Sequence, residues 1–242
     1  MLKQFCALAA LAVASLSGSY ATAANIYGVY ITEFNSNAGD GSDHEFVEFT
    51  NTSAVPVNMT GWSQDDSTRA INKAGHILSA FGTLAPGESA IFTEATPDAF
   101  RTYWWGSPAA APAGLKIIGP YSNDNLSSGG DEVNLYAPGA LNGTTDFADR
   151  LTYNGSPNAP FGGGNASGVT RNPGPLTVLG DNMNINWVNS FVGDSYGSFA
   201  AFGNPNLVGN PGSFVPEPGT LALGAIGAAF GLLAIRRKRA VK

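Results

Sequence analysis

Two histidines, His44 and His76, and the carboxylates are the side chains of this protein best suited to move a proton near neutral pH or to hold a metal. His44-Glu45-Phe46-Val47-Glu48 opens like a zinc-protease motif, but the second histidine is missing. The segment also alternates as a strand does, which puts His44 and Glu48 on one sheet face about 13 Å apart, too far for one ion. Glu33 and Glu48 become neighbours if their strands pair, and two carboxylates in contact can work as acid and base. No aromatic sugar pocket flanks them in the sequence, so carboxylates with a structural or cation-holding role are the plainer expectation. The loop from Asn35 to Asp43 is rich in Asn, Asp, Ser and Gly. Its hard oxygen ligands suit calcium, with Asn35, Asn37, Asp40 and Asp43 as candidate ligands. The spacing is not that of an EF-hand, and such clusters also form ordinary turns. No other cofactor is expected.

Nucleophilic catalysis finds little support. Cys6 is the lone cysteine, and the chain has no Ser-x-x-Lys. Gly162-Gly163-Gly164 has neither a following helix nor a lysine, so it is a loop and not a phosphate cradle. Gln64-Asp65-Asp66 is an acidic point on a rim. Tyr103-Trp104-Trp105 offers two readings: rings for a sugar to stack on, or a plug for a hydrophobic core. The plug is the stronger of the two.

These residues need a scaffold, and composition indicates its kind. Between Ala24 and Phe214 six basic residues face seventeen acidic ones, a formal charge of −11 that the basic C-terminus masks in the whole-chain value of −6. Such a surface repels phosphates, so no nucleic-acid partner is expected. Short apolar or alternating runs recur between Gly and Pro: Ile26 to Phe34, Glu45 to Asn51, Ser89 to Thr93, Lys116 to Ile118, Glu132 to Tyr136 and Phe147 to Tyr153. That rhythm predicts an all-β antiparallel sandwich. One helix is expected over Thr96–Trp105, with Thr96 as N-cap, Pro97 at the first helical position and Asp98 in the first turn.

Both termini read as targeting segments. Lys3, the apolar run from Phe5 to Leu16 and the small residues Ala21-Thr22-Ala23 before Ala24 form a secretory signal over residues 1–23, with Ala21, Ala23 and Ala24 marking the cleavage site. At the other end Val215-Pro216-Glu217-Pro218 precedes an uncharged run, Gly219 to Ile235, and then Arg236-Arg237-Lys238-Arg239. As a helix that run spans roughly 25 Å, enough for a slightly thinned bilayer core. The basic cluster would hold it on the cytoplasmic side. The order of stem, apolar span and basic tail over 215–242 resembles the bacterial PEP-CTERM sorting signal. The resemblance implies an inner-membrane-retained precursor. An exosortase, a membrane protease or transpeptidase, then processes it for the cell surface or extracellular matrix. An ordinary C-terminal anchor is the plain alternative.

The middle of the chain carries a second resemblance. Ile31 to Asn37, Glu45 to Asn51, and Val57-Asn58-Met59-Thr60-Gly61-Trp62 resemble the opening of a lamin-tail domain. Leu84 to Ile91, Leu126 to Tyr136 and Gly203-Asn204-Pro205-Asn206 resemble its later turns and strands. The resemblance implies an immunoglobulin-like β-sandwich over 24–207, with insertions around 63–81, 100–113 and 156–184. A linker at 208–214 would follow. In this frame Trp62 is a core aromatic. The expected function is that of a non-enzymatic, exported module, and resemblance to PEP-CTERM proteins adds exopolysaccharide or biofilm as its partner. The alternative is a secreted metal-assisted hydrolase of the nuclease or phosphodiesterase kind, because lamin-tail modules accompany such enzymes.

Overall fold

The computed structural model describes residues 27–36, 45–121, 126, 130–154, 171–173 and 187–214. Within them the chain forms β1 (Val29–Asn35), β2 (Phe46–Asn51), β3 (Val57–Asn58), β4 (Ser63–Asp65), β5 (Thr83–Leu84) and β6 (Ser89–Thr93). Then come α1 (Pro97–Trp105), β7 (Lys116–Ile118), β8 (Gly130–Tyr136), β9 (Asp149–Asn154), β10 (Arg171–Pro173), β11 (Trp187–Asn189), β12 (Phe199–Ala200) and β13 (Val208–Gly209).

Two sheets face each other. The larger has the order β11-β10-β1-β2-β6-β7, the smaller β4-β8-β9. Alternation along each strand decides which side chains enter the space between them. Val47 and Phe49 of β2, and Ala90 and Phe92 of β6, meet Val133 and Leu135 of β8 and Leu151 of β9 in one core. Trp62 joins this core as expected, its indole Nε1 donating to Asn58 O at 3.1 Å. Strand β1 contributes Val29, Ile31 and Phe34. The odd step from 31 to 34 reflects a bulge between Ile31 and Glu33, which turns Thr32 and Glu33 together onto the sheet's outer face.

That outer face carries a second, smaller core. Phe46 and Ile91 pack there against Phe100, Trp104, Leu115, Ala201 and Leu207. Helix α1 starts and stops as its sequence dictates. Thr96 Oγ1 accepts from Ala99 N at 3.3 Å, and Gly106 ends the helix at φ +81°, a conformation that costs a residue with a Cβ more than it costs glycine. Two of its last carbonyls are capped from a distant segment: Gly203 N donates to Tyr103 O and Phe202 N to Trp104 O. Trp104 is therefore a plug, but for the outer core and not for the sandwich interior. Its ring meets Phe46 edge-on at 5.8 Å.

The expected all-β antiparallel sandwich is what the described residues form, with β7 joining β6 in parallel at one edge; the intervening α1 supplies the crossover that parallel strands require. The stretches 63–81 and 156–184, expected as insertions, carry paired strands of their own: β4 pairs with β8, and β10 with β1 and β11. Residues 208–214 are not a linker. Val208 and Gly209 form β13 against β12, and the residues after them are bonded to the sheet. Among the described residues no helix is long and apolar enough to cross a membrane; the signal segment and the 219–235 run lie outside them.

Candidate functional site

The pairing of β1 with β2 sets Glu33 directly opposite Glu48. Both carboxylates are completely buried, and what covers them is the chain's own continuation. From β13 the backbone crosses the outer face as a strap. Asn210 N donates to Glu33 Oε1 at 2.9 Å and Gly212 N to Glu48 Oε2 at 2.6 Å. Gly212 sits at φ +83°, and a Cβ there would come within 2.8 Å of the Leu115 side chain. Only glycine brings this N–H to the carboxylate without displacing that contact. Asn210 then closes the strap with a turn, its Nδ2 donating to Ser213 O at 2.6 Å.

A row of hydroxyls completes the site. Thr32 Oγ1 donates to Glu48 Oε1 at 2.7 Å, Thr50 lies 2.7 Å from Thr32, and Ser89 lies 2.6 Å from Thr50. Each hydroxyl has a single proton. Thr50 Oγ1 also lies 3.4 Å from Glu48 Oε1, and within the Thr32–Thr50 and Thr50–Ser89 pairs either oxygen can be the donor. Burial pushes the Glu48 carboxyl above its ordinary range, against the pull of Thr32, Gly212 and the other hydroxyls. A neutral acid at this place needs no buried counter-cation. The pair is thus arranged to grip backbone beneath a closed surface.

A second acidic point lies at the start of β2. Burial, followed by the charges of Glu94 and later Asp131, pushes Glu45 up to about 8, against the opposing Leu126 N–H, which donates to Oε2 at 2.8 Å. The sequence reading missed Glu45 and Glu94 as neighbours, although the register Phe46–Thr93 makes them the next pair along the ladder. Glu45 follows the proposed calcium loop. Of that loop's candidate ligands, Asn35 is the buried last residue of β1; Asn37, Asp40 and Asp43 lie outside the described residues, as does His44. Among the described residues no group of three or more His, Cys, Asp and Glu side chains is placed to hold a metal.

The remaining candidates are scattered. His76 is buried, with Nδ1 3.1 Å from Gln64 Oε1 and its ring beside Phe92 and Tyr121. Asp65 is not on a rim but buried, accepting from Thr68 Oγ1 at 2.8 Å and from Ala70 N. The sorting residues Val215, Pro216, Glu217 and Pro218, the basic tail Arg236–Arg239, the cleavage residues Ala21, Ala23 and Ala24, and Gly162-Gly163-Gly164 lie outside the described residues.

Comparison with known proteins fits this architecture. The family model of the lamin tail domain matches residues 22–155, more than half of the chain, and that of the PEP-CTERM protein-sorting motif matches residues 214–239. No curated protein matches. Among solved structures, a DUF4876 family protein from Bacteroides thetaiotaomicron is 11% identical, with 79% of this chain and 72% of that chain covered and a TM-score of 0.36, too slight a likeness to carry an argument. The chain belongs to the lamin tail domain family, and the PEP-CTERM motif at its end marks it for export and exosortase processing at the cell envelope.

Proposed function

We propose that this protein is a non-enzymatic component of the cell surface or extracellular matrix, delivered by its C-terminal signal and associated there with exopolysaccharide. In the precursor the 219–235 run and Arg236–Arg239 hold the chain in the inner membrane. The stem Val215-Pro216-Glu217-Pro218 is presented to the exosortase, which releases or transfers the folded module.

One observation supports this reading above the others. The strap makes its last backbone hydrogen bond at Ser213, whose N donates to Asn210 O, and the sorting stem begins two residues later. The sandwich therefore runs straight up to its own address label, and the two acidic residues best suited to acid–base chemistry are engaged in holding that junction. Replacing Pro216, Glu217 and Pro218 together is expected to leave an unprocessed, membrane-associated precursor, read as a size shift in fractionated cells. Normal processing and surface delivery of that variant would sink the sorting role. Metal analysis and turnover assays on DNA and phosphodiesters test the non-enzymatic reading, and stoichiometric zinc with turnover would replace it. Co-sedimentation with the host's exopolysaccharide tests the partner.

A further inference from the structure

Among the described residues, one apolar feature that the fold leaves uncovered is the tip of the loop between β11 and β12. Phe191 and Val192 are neighbours there, with 63% and 64% of their surfaces exposed. The loop is built to display them. The Asp194 carboxylate accepts from Phe191 N at 3.1 Å, from Tyr196 N at 3.0 Å and from Ser198 N at 3.0 Å, while Asp194 N donates back to Phe191 O at 3.1 Å. Gly197 N also donates to Asp194 O at 3.2 Å, and five hydrogen bonds through one residue fix the backbone of the turn that carries the two side chains.

The loop also sits at the corner where the chain leaves the fold. Ser198 Oγ, at the loop's end, lies 3.5 Å from Asn210 Oδ1, and the Asn210 amide holds Ser213 O. From Ser213 to Gly219, where the uncharged run begins, six residues reach at most about 20 Å when fully extended. A chain retained through that run therefore keeps this corner close to the bilayer surface.

We propose that the Phe191–Val192 tip is a foot that rests in the interfacial zone of the bilayer while the precursor is anchored. The proposal rests on the reading that residues 219–235 retain the chain in the membrane. An aromatic ring and a branched aliphatic side chain suit that zone. Two side chains alone bind a bilayer weakly, but a short tether raises their effective concentration at the surface enough for weak contacts to persist. The occupant is a zwitterionic lipid surface, because an exported portion with a formal charge of −11 is repelled by anionic headgroups. In the anchored state the foot would fix which face of the sandwich looks towards the membrane and so the angle at which the stem meets its protease.

The test uses the full chain with Cys6→Ser, so that Val192→Cys carries the only thiol, labelled with an environment-sensitive fluorophore and reconstituted into phosphatidylcholine vesicles. Leu141→Cys, at another exposed apolar residue (90% exposed), is the control. The proposal expects a blue shift at position 192 and at least threefold slower quenching by iodide than at 141, both lost once the C-terminal run is cut away and the protein leaves the vesicles. A chain that floats with the vesicles but quenches equally at both positions overturns the foot while leaving retention intact. A chain that does not float overturns retention and the foot with it. Shielding at 192 that survives release from the vesicles identifies a protein surface as the cover and also overturns the proposal.

Discussion

The outer faces of the two sheets solve the same problem in opposite ways. On the three-stranded sheet Glu132 is gripped by Arg69, at 2.8 Å from Nε and 2.6 Å from Nη2, with Arg150 Nε 3.8 Å away. Its carboxyl is held below the ordinary range, first by the Arg69 hydrogen bonds. On the six-stranded sheet Glu48 lies under the strap among hydroxyls and backbone N–H groups, and burial drives it the other way. Charge pairing stabilises an ionised acid, whereas burial among uncharged partners favours a neutral one. The strap is what makes the second environment dry.

The contrast is broken most severely by Glu48→Ala. It leaves the Gly212 N–H and the Thr32 hydroxyl without their buried acceptor, which is expected to cost about 3 kcal/mol. Chemical denaturation would measure the loss, and faster proteolysis at residues 207–214 would show that the strap had lifted.

Next comes pH, where the two sheets carry opposite signs. For Glu45 and Glu48, raised above the usual 4.5, the stabilising contribution is complete below that value and is lost as pH rises, through about 8 for Glu45. For Glu132, held lower, the contribution is present above 4.5 and lost as pH falls through its depressed value. The melting temperature should therefore decline between pH 5 and 8, and Glu45→Gln should flatten that decline. An unchanged slope in the variant would remove Glu45 from the account.

Arg69→Met keeps the stem and deletes the fork to Glu132. Because Arg69 is about a third exposed, a loss of about 1 kcal/mol is expected, with the pH 5–8 slope untouched. Lys116→Met is the smallest perturbation. Its pair with Glu88, at 2.8 Å, lies at a wet edge, so denaturation should move by less than about 0.5 kcal/mol.

Much of the sandwich was legible because alternation is a local signal. Strands β2, β6 and β7 begin and end within a residue of the expected positions, and α1 announced itself through Thr96 and Pro97. The opposition of Glu33 and Glu48 followed once their strands were paired. The strap was not legible. Leu207 to Ser213 has no apolar period, and it is held through backbone N–H groups, which every residue but proline carries. The same holds for β10, whose Arg-Asn-Pro sequence owes its strand conformation to the neighbours on either side. Asp65 was misplaced for a related reason: an acidic residue after an expected turn looks solvent-facing until β4 pairs with β8. The sorting signal, by contrast, is linear and could be read residue by residue.

The bonds from the strap to Glu33 and Glu48 join residues 177 and 164 positions apart. β1 and β2 are made among the first parts of the module, and their carboxylates stay hydrated while the rest follows. Contacts of such long range close late, and here the closing segment is the last of the described residues to be made. The dry surroundings of Glu33 and Glu48 are therefore a property of the finished module alone, and a chain cut short before Asn210 would keep both acids in water.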